Sequence, residues 1–208
     1  MTNLKELQTG VLSQLGGYLA EFGFNPKPKG QTYYKKASFG KLAFHLAFVN
    51  HPPEDFDIIA NVAIRFDDLE KLLGNDTKSF SIGAELGNIR EWRQKRWRVH
   101  NESEVSHVVE TIFKDYKEIG LPYLDKYSSM ENTFELLTQD GKDAWIISPL
   151  DNERAKRAVG LAILLDKKEL FNDLIEKKTN FLQNHNSFGL NEFLELIKGL
   201  RKKYYGQV

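Results

Sequence analysis

Hydrophobic positions recur along this chain at two periods, and the switches between them mark its elements. Leu4, Leu7, Val11, Leu12, Leu15, Leu19 and Phe22 follow three- and four-residue spacings, which predicts an amphipathic helix with one apolar stripe. Asn3 and Glu6 are spaced as a capping box, and Gly23 stands where a left-handed C-terminal cap is expected. The polar face of this helix is not basic, so the stripe reads as core packing and not as a membrane-surface helix. The period then falls to two. Gln31 to Ala37, Lys41 to Asn50 and Phe56 to Phe66 predict three strands. In the third, Phe56, Ile58, Ala60, Val62, Ile64 and Phe66 point one way. After a helical turn in DDLEKLLG, Ser79 to Leu86 and Arg96 to His100 complete the set.

The connections are short and rich in Gly, Pro, Asn and Asp, which suits antiparallel neighbours and leaves no room for repeated parallel crossovers. Asn101 with Glu104 offers a second capping box, opening a helix through Val105, Val108, Val109, Ile112, Phe113 and Tyr116. This helix is expected to stop at Gly120, with Pro122 just beyond. Together the segments predict an α+β fold: an antiparallel meander of about five strands with helices packed on one face. From Ser128 the pattern is helical, apart from an extended piece at Ala144 to Ser148 and a cap at Asp151. The expected organisation is a sheet domain at 1–127 and a helical C-terminal segment at 128–208, packed on the first as one unit.

Over roughly the first 150 residues the motifs resemble a known bacterial family. Gly23-Phe24 closes the leading helix, Gln31-Thr32-Tyr33-Tyr34-Lys35-Lys36 follows, and Ile82-Gly83-Ala84-Glu85-Leu86-Gly87 and Trp97 come later. This order is similar to that of the domain-of-unknown-function family DUF4304. The resemblance implies a small cytoplasmic binding partner, including the immunity-type partners of toxins, and carries no catalytic residues with it.

Composition narrows the chemistry. Among 208 residues, Lys plus Arg and Asp plus Glu both number 29, so formal charge is zero. A dedicated nucleic-acid binder carries a basic excess, so the balance argues against that class. Yet Arg90 to His100, REWRQKRWRVH, interleaves cations with tryptophans as a nucleic-acid groove does. Strand alternation explains its end better, with Trp97 and Val99 inward and Arg96, Arg98 and His100 outward. Cysteine is absent, which removes disulfides, thiolate metal sites and a thiol nucleophile. No stretch reads as a membrane span or a leader, so a cytoplasmic location is expected. No phosphate-binding glycine loop, nucleophile elbow or metal-ligand spacing occurs, and no cofactor or metal is expected. His51 lies near Glu54 and Asp55, but the intervening prolines make this an acidic loop more readily than a ligand set.

What remains is a face. If the apolar sides of the strands meet the helices, the opposite side collects His45, Asp57, Asn61, Arg65, Ser81, Glu85, Arg96, Arg98 and His100. Cross-strand charge pairs there, such as Arg65 with Glu85 or Asp57 with an arginine, have a structural meaning first. The same groups could hold an anion or a protein partner, since arginine recognises carboxylate and phosphate bidentately. An enzyme would draw its base from His45, His100 or Glu85. The reading carried forward is a binding protein with a protein partner. An enzyme on this face, or a nucleic-acid module on 90–100, is the alternative, and the oligomeric state is open.

Overall fold

The computed structural model describes residues 4–51 and 55–206, and the proposed cap at Asn3 and the acidic loop at Glu54 lie outside them. The chain divides into two compact units, Met1–Arg65 with Gly83–Lys126, and Phe66–Ile82 with Tyr127–Val208.

The first unit is the α+β part. Helix α1 (Leu4–Ala20) buries Leu7, Val11, Leu15 and Leu19, and the chain reverses at Gly23, whose φ of +81° suits glycine. Strands β1 (Thr32–Ala37), β2 (Gly40–His51) and β3 (Asp55–Phe66) run as an antiparallel meander. β4 (Ile82–Glu85) and β5 (Trp97–Val99) both pair with β3. β5 lies opposite Phe56–Ile58, and Gly83 of β4 lies against Val62 and Ala63. Alternation in β3 holds throughout: every even position from Phe56 to Phe66 is buried.

Helix α4 (Glu102–Asp115) covers the apolar face together with α1. The Tyr116 ring, just beyond α4, meets Phe44 edge-on at 5.4 Å and Phe22 at 5.5 Å. Buried Tyr33 donates its hydroxyl to the Leu12 carbonyl of α1, which ties strand to helix. Such aromatic pairs contribute about 0.5–1.5 kcal/mol each beyond area burial. Asn101 caps α4 as its position predicts, accepting from the Ser103 amide, while Glu104 accepts from the His100 amide, one residue before the amide that a regular capping box would engage.

Two expectations for this unit fail. The β4 strand is only Ile82–Glu85 where Ser79 to Leu86 was expected, and Leu86 instead opens α3 (Leu86–Glu91). Nor does the helix stop at Gly120. A π-helical turn at Tyr116–Gly120 leads into α5 (Leu121–Tyr127), so the path continues through Pro122. A widened turn relieves the clash and missing donor that proline brings to a regular helix. Gly120 is kept small by packing: a Cβ there would lie about 3.1 Å from side chains of Leu86 and Val62.

The second unit is helical. Helix α2 (Asp67–Leu72), α6 (Met130–Leu137), α9 (Phe171–Asn184) and α10 (Leu190–Tyr205) all pack on α8 (Asp151–Leu164). α8 presents Ala155, Ala158, Gly160 and Ala162, so its neighbours approach closely. A Cβ at Gly160 would come within 2.6 Å of Leu69. Glu70 is fully buried, with Asn75 Nδ2 at 2.7 Å and Arg157 Nε at 3.6 Å. These contacts place residues 66–82 with the helices, whereas the sequence reading put them in the sheet domain.

Ala144 to Ser148 is not extended. Helix α7 (Lys142–Ile147) occupies it, burying Ala144 and Ile147 three apart while Trp145 is 52% exposed. A short apolar run such as WII has no period of its own to separate the two states. Asp151 is likewise not the cap of α8 but its first residue. Its carboxylate accepts from Arg154 Nη2 at 2.6 Å and Ser187 Oγ at 2.8 Å.

Candidate polar face and cationic recess

The register of β5 on β3 sets Arg98 directly opposite Asp57. Arg98 donates from Nε to Asp57 Oδ1 at 2.8 Å and from Nη2 to Oδ2 at 3.3 Å. Arg96 adds a donor at 3.4 Å, and His51 Nε2 lies 3.0 Å from the same Oδ2. Asp57 is 4% exposed, yet Arg96 and Arg98 keep about half their side-chain surface in solvent. The Arg98 hydrogen bonds, reinforced by His51 and Arg96 against the cost of burial, hold the Asp57 carboxyl well below the usual range.

The network extends along the margin of the sheet. Arg96 Nε donates to Gln94 Oε1 at 2.9 Å, and Gln94 Nε2 donates to Glu85 Oε1 at 3.1 Å. At the other end His100 Nδ1 lies 3.1 Å from Asp55 Oδ2. Thus Asp57, Glu85, Arg96, Arg98 and His100 share one margin.

The other residues expected on this face stand apart. Asn61 and Arg65 lie four and eight positions beyond Asp57 on β3, roughly 13 and 26 Å at strand rise. Asn61 Nδ2 donates to the Ile59 carbonyl, and Arg65 is buried. His45 pairs through Nδ1 with Thr32 Oγ1 at 2.9 Å, and burial pushes its imidazole below the usual value. β3 separates His45 from Glu85, so these two do not form an acid–base pair. Ser81 is fully buried and accepts from the Phe66 amide, a role inside the helical unit.

Sequence reasoning missed a second cluster beside this margin. α3 ends at Trp92, which takes a left-handed φ of 59°. That conformation costs a bulky residue about 1–2 kcal/mol and turns the loop back across the helix. Gly87 makes this approach possible: a Cβ there would lie 2.4 Å from the Arg93 carbonyl oxygen and the Lys95 amide. The fold-back frames a cavity of 320 Å³ lined by Gly87, Arg90, Glu91 and residues 93–96. Arg90 is held from behind by Asp115 at 3.2 Å and Glu118 at 2.7 Å, and Lys95 by Asp115 at 2.5 Å. Asp115 is 3% exposed. An acid on α4 that partners bases twenty or more residues away leaves no local spacing to read.

Trp92 and Trp97 are not a stacking platform. Trp97 is buried under Lys95, whose Nζ sits 4.9 Å from the ring centroid, while Trp92 is 40% exposed on the loop. Among the described residues no group of acidic and histidine side chains is arranged to hold a metal, and no helix is long and apolar enough to cross a membrane. What the fold defines is an α+β unit with a basic, carboxylate-backed sheet margin. Comparison with family models, with curated proteins and with solved structures finds no match for this chain.

Proposed function

We propose that the chain is a cytoplasmic binding protein whose partner is another protein, engaged through the margin of Asp57, Arg96, Arg98 and His100. One observation carries this reading. The one carboxylate at the centre of the face is saturated by two guanidinium groups and an imidazole, which makes it a poor base and a firm anchor. Arginines fixed in this way present their remaining N–H groups to solvent at little further entropic cost, which favours recognition of an acidic surface. The resemblance to a family of unknown function, which implies a small binding partner of the immunity type among others, points the same way, toward a protein ligand and not a substrate.

The test is recovery of a partner. The tagged chain, expressed in its own host, is expected to co-purify in fixed stoichiometry with one protein. A folded Arg96→Gln, Arg98→Gln double variant is expected to lose it. Equal recovery by parent and variant, or no partner with either, overturns the reading.

A further inference from the structure

We infer that the recess between α3 and the 92–96 loop is an oxyanion site, taking a single carboxylate or phosphoryl group from the ligand. The inference rests on the binding reading above and names the chemistry that the surface grips. Four cations border the recess, Arg90, Arg93, Lys95 and Arg96, against one carboxylate, Glu91. Three of the four are clamped from the protein side by Asp115, Glu118 and Asp57, so their positions are set before any ligand arrives. Arg93 differs. It is exposed, and among the described residues its side chain has no hydrogen-bond or ion-pair partner. Arg93 lines the recess beside the clamped cations and keeps its whole guanidinium fork for a ligand, which is what a bidentate oxyanion requires.

Charge balance decides the size of the ligand group. The buried and half-buried acids behind the recess nearly cancel the cations in front, and the whole chain is neutral. A polyanion gains little from such a surface, because its affinity scales with the number of phosphates neutralised. One oxyanion gains from several directed hydrogen bonds that converge in a concave site. The fold-back at Gly87 supplies that concavity.

The test uses the full chain, with inorganic phosphate and acetate as probes at constant ionic strength. Amide shifts of Gly87 and of residues 94–96 are expected to saturate with at least one probe. Arg93→Gln, which breaks no internal bond, is expected to weaken that binding by about tenfold or more. The probe that saturates at lower concentration assigns the group as phosphoryl or carboxylate. Shifts that grow linearly with both probes, or an affinity unchanged in Arg93→Gln, overturn the inference. A recess without saturable binding beside an intact Arg96- and Arg98-dependent partner leaves the binding reading standing. A saturable recess with no partner recovered overturns only that reading.

Discussion

Asp57 shows how much one side chain can organise on a sheet face. Its two oxygens receive three guanidinium hydrogen bonds and face an imidazole, from His51 of β2 on one side of β3 and from Arg98 of β5 and the preceding Arg96 on the other. Replacing it by asparagine removes the charge that these groups share. The partners keep access to water, so the loss is moderate, and Asp57→Asn should cost about 1–2 kcal/mol in urea unfolding at pH 7. The pH dependence has a definite sign. The folded carboxyl titrates below its unfolded value, so its stabilisation is complete above the unfolded pKa and disappears as acid protonates the native state. The parent should therefore lose its advantage over Asp57→Asn on acidification below about pH 4. A constant difference between the two down to pH 2 refutes the assignment. At this scale the sequence is readable where strand parity governs: Asp57, Arg96, Arg98 and His100 are placed by alternation. It is silent on Asp115 with Arg90 and Lys95, because that cluster depends on a loop folding back over Gly87.

The elements were legible wherever a period lasted long enough to be read. β3 carries alternation over its whole length and α4 carries both its stripe and its cap, and both form as the pattern predicts. The failures are all short or mixed. α3 and α7 have six residues each, too few to separate a helical from an extended pattern, and the π-helical turn lets a helix run through the very Gly and Pro that signal its end. The helical unit also contains a join that no linear pattern announces. Two lysines of α9 close the C-terminal end of α6: Lys177 donates to the Thr138 carbonyl at 2.8 Å, and Lys178 to the Gln139 carbonyl at 3.3 Å and to Asp140 at 2.5 Å. Lys178 is 1% exposed, and burial pushes its ammonium down to about 8 despite the Asp140 carboxylate. Its folded value lies below its unfolded one, so between the two the unfolded chain binds more protons. Stability therefore rises as pH increases from about 8 toward 10, by on the order of 1–3 kcal/mol. Above that, the buried hydroxyls of Tyr33 and Tyr116, raised by burial, act in the opposite direction within the sheet unit. Denaturant titrations of the helical unit's transition at pH 7.5, 8.5 and 9.5 should show the rise, and Lys178→Met should flatten it. The same slope in Lys178→Met would assign it elsewhere.

At the scale of the whole chain, the division between units does not follow the order of residues. The path leaves the strand at Phe66, forms α2 and its following loop against α8, and returns to the sheet with β4 at Ile82, while the compact sheet unit itself stops at Arg65 and resumes at Gly83. Residues 66–82 therefore have their burial supplied by a helix encountered some eighty residues later. Leu69 sits against Gly160, and Glu70 against Arg157, and both are fully shielded from solvent. A chain ending at Lys126 retains every strand but strips this insert of α8, exposing an apolar side and an acid without its arginine. Such a chain should express poorly and elute as aggregate in size-exclusion chromatography, although its sheet is intact in sequence. The remedy follows from the same geometry. The Phe66 amide donates to Ser81 Oγ at 3.0 Å, so the two ends of the insert already meet. Arg65 and Gly83 belong to antiparallel neighbours in which Gly83 lies against Ala63, so a four-residue loop, an Asn-Gly turn followed by two strand residues, can join them. Residues 1–126 with 66–82 replaced by that loop should elute as a defined species with near-ultraviolet circular dichroism from the buried Tyr33, Trp97 and Tyr116. If the unshortened 1–126 chain is equally soluble and ordered, α8 is not what supports the insert.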